Sequence, residues 1–151
     1  MKRNVFTLLL LTIGFITNAQ IINNVPGLVA SQLDNGWYKY QSEGATFDVE
    51  VKDGYIIRGN IKWFNEDTYS GSLSLSSIAG KGTYTWANGE RYEGAFKKNQ
   101  RHGKGSMYYV NGEKFSGKWK KDKRHGKGKI WKTDGSIVTG VWENGVLVST
   151  K

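Results

Sequence analysis

One 23-residue unit recurs without gaps through the second half of this chain, and such a period confines the fold to units that stack on their neighbours. The copies are residues 80–102, 103–125 and 126–147. Gly94, Gly117 and Gly140 fall in register, as do Phe96, Trp119 and Trp142, and Tyr84, Met107 and Ile130. A worn copy precedes them at 57–79, where Gly59, Ile61, Trp63, Asn65, Tyr69, Gly71 and Leu73 stand for Gly82, Tyr84, Trp86, Asn88, Tyr92, Gly94 and Phe96. One step further back, Gly36, Tyr38 and Tyr40 still match, while Phe47, Val49 and Val51 fit better with one residue inserted. Residues 33–56 therefore read as a degenerate N-terminal β unit that caps the array, and 20–32 as a linker.

Within each unit, runs of alternating large and small residues flank Asn88-Gly89, Asn111-Gly112 or Asp134-Gly135. That pattern signals a β-hairpin. A two-residue loop at Asn88-Gly89 would split the aromatics between faces. A three-residue loop, Ala87-Asn88-Gly89, pairs Tyr84 with Tyr92 and Gly82 with Gly94, and puts Tyr84, Trp86, Tyr92 and Phe96 on one face. Gly89 then takes the left-handed position, and the paired mid-strand glycines leave room for rings over the backbone. Asn99, Asp122 and Gly145 share a position after the second strand, and all three tolerate a left-handed backbone, so a tight bend is expected there. Stacked hairpins rise roughly 10 Å per unit. The expected fold is all-β, a single-layer elongated antiparallel meander of stacked hairpins with no helix in 80–147. Twenty Gly dispersed among six Trp, eight Tyr and six Phe exclude both collagen and disorder.

The first 19 residues read differently. Lys2 and Arg3 precede an apolar run from Phe6 to Ile16, and Thr17-Asn18-Ala19 supplies small residues for cleavage after Ala19. This is the pattern of a secretory signal peptide, here expected as a short helix, and the run is shorter than a membrane span requires. Export to the periplasm or the extracellular medium follows as the expectation. The chain has no Cys, so stability in that oxidising setting must come from packing. Without Lys2 and Arg3, 20 basic and 13 acidic residues leave +7, split as −3 (4 − 7) over 20–79 and +10 (16 − 6) over 80–151. An imbalance of that kind bears on partners.

Tyr92-Glu93-Gly94-Ala95-Phe96 followed by Arg101-His102-Gly103-Lys104-Gly105 resembles a MORN (membrane occupation and recognition nexus) repeat. Phe115-Ser116-Gly117-Lys118-Trp119 with Arg124-His125-Gly126-Lys127-Gly128 does so equally. The resemblance, to a bacterial and exported member of that family, covers roughly 57–147. It implies a single-layer sheet of hairpins and roles in scaffolding, protein contact or membrane association. Departures gather at the ends: Glu66 replaces the turn glycine, Ser76 stands at the first bend, and Lys132 and Val138 replace aromatics.

No nucleophile motif, phosphate loop or dinucleotide fingerprint is present, and no cofactor or metal is expected. His102 and His125 occupy equivalent positions about one repeat apart, too far to share an ion. Glu43, Asp48, Glu50 and Asp53 are the only cluster from which a glycosidase pair could be drawn, and the reading disfavours it. Two surfaces stand out as candidates. One is the aromatic face of Tyr84, Trp86, Tyr92, Phe96, Tyr109, Phe115, Trp119 and Trp142, which is either core or a partner-contact platform. The other is basic: Lys97, Lys98, Arg101 and Lys104 in one linker, and Lys120, Lys121, Lys123, Arg124 and Lys127 in the next, with Lys129 beyond. Repetition is expected to align these linkers on one long edge as an anion-binding stripe. A protein partner is the first expectation, an anionic membrane or lipopolysaccharide the second, and nucleic acid is disfavoured by export.

Overall fold

A computed structural model describes residues 33–42, 44–74 and 77–151, so the signal peptide, the linker, Glu43 and Ser76 lie outside the described residues. The described chain forms β1 (Gly36–Ser42), β2 (Ala45–Lys52), β3 (Tyr55–Trp63), β4 (Thr68–Ser74), β5 (Ser77–Thr85), β6 (Arg91–Lys97), β7 (Gln100–Tyr108), β8 (Lys114–Lys120), β9 (Lys123–Trp131), β10 (Ile137–Glu143) and β11 (Val146–Thr150). All eleven lie in one antiparallel sheet, each strand beside its neighbours in sequence. At about 4.8 Å per strand step the sheet extends roughly 48 Å across its strands.

The hairpin register is the one that keeps the aromatics together: Tyr84 pairs with Tyr92 and Gly82 with Gly94. Across the loop, the Trp86 N–H donates to the Glu90 carbonyl (2.9 Å) and the Gly89 N–H to the Trp86 carbonyl (2.8 Å). Gly89 sits at φ +87°, the left-handed residue that closes a three-residue loop with a bulge. The same two bonds recur at Tyr109–Glu113 and Lys132–Ser136. In the worn copy Glu66 takes the position at φ +69°. These loops line one long edge of the sheet, hereafter the loop edge.

The opposite edge carries two-residue turns. Asn99 (φ +62°) and Asp122 (φ +64°) are left-handed as expected, but so are Lys98 and Lys121 before them (both φ +50°). Two consecutive left-handed residues make the turn whose twist matches the flanking strands. Asn144-Gly145 and Asp53-Gly54 repeat it. The extra residue in the N-terminal unit displaces its turn by one position, to 53–54.

Each of these turns also ties its unit to the one before. The Asn99 N–H donates to the Ile78 carbonyl (3.0 Å), and the Asn99 side-chain oxygen accepts from the Ile78 N–H (2.7 Å). Asp122 makes the same pair of bonds with Arg101 (3.1 and 2.9 Å). Gly145 keeps only the backbone half, to the Arg124 carbonyl (2.9 Å).

Strand alternation sorts side chains onto two faces. One carries the core: Val49, Ile61, Tyr69, Ile78, Tyr84, Tyr92, Phe96, Met107, Phe115, Trp119 and Trp142 are all buried there. The other is polar. Across it one row runs Lys39, Asp48, Asn60, Ser70, Thr83, Glu93, Ser106, Ser116, Lys129 and Thr139, strand by strand.

Candidate binding surfaces

The aromatic face is a core, the first of the two readings the sequence left open for it, and not an open platform. Tyr84, Tyr92, Phe96, Phe115, Trp119 and Trp142 are at most 4% exposed, while Trp86 and Tyr109 are half-buried against them. The reason a single layer can do this lies in how the rings pack. Tyr92 meets Phe96 and Trp119 edge-to-face (centroids 5.0 and 5.3 Å), and Phe115 meets Trp119 and Trp142 the same way (5.3 and 5.1 Å). Each such pair contributes about 0.5–1.5 kcal/mol beyond area burial. The Tyr92 ring lies over the Gly94–Gly105 pair; a Cβ at Gly94 would stand 2.7 Å from its Cζ. Its hydroxyl donates to the Ala95 carbonyl (3.0 Å). Burial raises the Tyr40, Tyr69 and Tyr92 phenols well above the usual range near 10, and raises Tyr109 as well.

The nine basic residues expected on one edge occupy three places. Lys97, Lys98, Lys120, Lys121 and Lys123 stand exposed at the two-residue turns, as the repetition implied. Arg101 and Arg124 turn inward over the aromatic face. Arg101 lies 4.5 Å from the Trp119 ring centroid, pairs with the Asp122 carboxylate at 3.2 Å and donates to the Asp122 carbonyl at 3.0 Å. Arg124 lies 5.5 Å from Phe115 and donates to the Gly145 carbonyl at 3.1 Å. A bulge between Gly94 and Phe96, repeated between Gly117 and Lys118, shifts the register and sets Arg101 opposite Phe96 and Arg124 opposite Trp119. A guanidinium stacks on rings and forks to an acid, which a lysine cannot do equally. Lys104 and Lys127 point away, onto the polar face, exposed.

Of the acids considered for a glycosidase pair, the three described have partners: Asp48 pairs with Lys39 (3.7 Å), Glu50 with Arg58, and the Asp53 carboxylate accepts from the Asn35 side-chain amide (3.5 Å). His102 and His125 are half-exposed on β7 and β9, with β8 between them. Asp67, which the sequence reading passed over, is the one buried charged residue among those described. It accepts from the Tyr84 hydroxyl (2.8 Å) and the Ala87 N–H (2.8 Å), joining two successive loops. Its equivalents Glu90, Glu113 and Ser136 conceal it, because only the worn copy has Asp there.

Three consecutive stretches, 69–91, 92–114 and 115–137, match the MORN repeat. The match spans residues 69–137, 69 of the 151 in the chain. Each match begins on the second strand of one hairpin and ends past the loop of the next. In an unbroken meander the phase of the unit is free, so this frame and one starting at Gly80 describe the same array. Such repeats are generally associated with protein or lipid binding, in keeping with a repeat binding module. No curated protein matches the chain.

Proposed function

We propose that this MORN-repeat chain is a non-enzymatic binding module of the cell envelope that docks on an anionic membrane surface by its turn edge. The supporting observation is the placement of Lys97, Lys98, Lys120, Lys121 and Lys123. All five are exposed on one edge, and among the described residues none has an ion-pair partner. Near an anionic bilayer each such cation contributes about 1 kcal/mol. The test is co-sedimentation of the purified chain with phosphatidylglycerol vesicles. Binding is expected at low salt, to fall as salt rises, and to be lost when the five lysines become glutamine. Equal pelleting with neutral vesicles, or no effect of the five changes, overturns the reading.

A second reading is a protein scaffold, and one observation favours it. Phe64 and Val110 occupy the same loop position in different copies and are 63% and 64% exposed, with exposed Ala87 between them on the loop edge. Apolar loop tips in a line suit a protein contact. A pull-down from envelope extract that loses its captured protein on Phe64→Ser with Val110→Ser, and keeps it in the five-lysine variant, would favour this edge over the other.

A further inference from the structure

The polar face has a feature that neither edge accounts for. The middle lysine of each Gly-Lys-Gly motif, Lys81, Lys104 and Lys127, sits exposed on β5, β7 and β9. Two strand steps separate successive members, about 10 Å, so the three span roughly 20 Å across the sheet. Lys118 on β8 stands directly opposite Lys104. Like charges facing each other across strands destabilise a sheet. The N-terminal half of the same face avoids this, joining Lys39 to Asp48, Arg58 to Glu50 and Lys62 to Glu66. On the strands β5–β9 the only carboxylate is Glu93, and it is taken by Arg91 and the Tyr108 hydroxyl (3.1 Å). The lysines therefore have no partner within the described residues.

The surface between them is shaped. Ala95 stands where the next copy has Lys118, and there a depression of about 400 Å³ opens, lined by Lys81, Gly82, Thr83, Gly94, Ala95 and Lys104. Glycine and alanine form its floor, a hydroxyl lies to one side and an ammonium stands at either end. That is room for one anionic group held between two cations. Beyond Lys104, Lys118 and Lys127 continue the row.

We infer that the polar face of β5–β9 binds a linear polyanion, a polymer bearing phosphate, sulfate or carboxylate groups, laid across the strands along the Lys81–Lys104–Lys118–Lys127 row. A small anion can engage one step of this row; a polymer engages all of it and releases counterions at each. The surface is separate from the turn edge, so either assignment can fail while the other stands.

The test is fluorescence anisotropy of the full chain with end-labelled long-chain polyphosphate. Unlabelled dextran sulfate, polygalacturonate and tripolyphosphate serve as competitors, which separates phosphate, sulfate and carboxylate polymers from a short anion. The polymer is expected to bind at least about tenfold tighter per charge than tripolyphosphate. Changing Lys81, Lys104, Lys118 and Lys127 to glutamine is expected to weaken it about tenfold or more and to flatten its salt dependence. The five-lysine edge variant is expected to stay within about threefold of wild type. The single Lys104→Gln change, which removes one of two facing cations, serves as a milder variant whose thermal midpoint should not fall. Wild-type polymer affinity in the four-lysine variant, or equal per-charge binding of tripolyphosphate, overturns the inference. So does a four-lysine variant that loses vesicle pelleting while keeping polymer affinity.

Discussion

The N-terminal unit and the regular repeats share one sheet but fill their cores by different means. In β1–β3 the buried residues are mostly small or aliphatic: Ala45, Val49, Val51, Ile56 and Ile61. The two buried aromatics of these strands, Tyr40 and Phe47, stack nearly parallel (6°, centroids 4.7 Å). In β5–β10 the core is mostly rings, from Tyr92 onward set edge-to-face and lying over paired glycines, with Ile78 and Met107 among them and Arg101 and Arg124 over them. Branched aliphatics cover a pleated surface by themselves. Large rings on a single layer need a backbone without Cβ atoms beneath them, which accounts for glycine in mid-strand despite its cost of about 0.5–1 kcal/mol. The repeat can tolerate drift in its surface residues, but ring and glycine must change together.

The comparison can be broken most sharply at the rings. Phe115→Ala removes a fully buried ring that contacts Trp119 and Trp142, and should cost about 3–5 kcal/mol in urea unfolding, against about 1 kcal/mol for Ile61→Val in the aliphatic part. Next comes the floor beneath the rings. Gly94→Ala places a Cβ 2.5 Å from the Gly105 Cα and against the Tyr92 ring, and should cost about 2–3 kcal/mol. Gly44→Ala in the N-terminal hairpin meets nothing within 4 Å but must adopt φ +82°, and should cost about 1 kcal/mol. The smallest effect is on pH dependence. The buried Tyr40, Tyr69 and Tyr92 phenols are raised in the fold relative to the unfolded chain. Their contribution is thus fully present below about pH 10 and declines as pH rises above it. Tyr92→Phe should lose about 1 kcal/mol at pH 7, with its hydrogen bond to Ala95, and flatten the alkaline decline measured by thermal midpoint.

Most of the fold was legible because the repeat multiplies each signal. Asn-Gly at 88–89 and 111–112 sets the loop, and the demand that Tyr84, Tyr92 and Phe96 share a face sets the register. The first left-handed residue of the turns at 98–99 and 121–122 was not legible, because Lys98 and Lys121 are poor sequence markers of that conformation. Nor was the split of the basic set. Arg101 and Arg124 leave the edge because of a bulge, and a bulge depends on pairing that only the assembled sheet reveals. The sequence therefore presents one stripe where the molecule has an edge, a face and a pair of guanidiniums over the core.

The bonds that Asn99 and Asp122 make with the preceding unit bear on how the array would come apart. They extend the β5–β6 and β7–β8 ladders beyond their last pairs, Gly80–Phe96 and Gly103–Trp119, so each hairpin is clasped at its open end by the turn that follows it. Asn99 and Asp122 each grip with backbone and side chain, while Gly145 grips with backbone alone. Under tension, or in hydrogen exchange, the joint at Gly145 should open before those at Asn99 and Asp122, giving the array a preferred direction of unzipping.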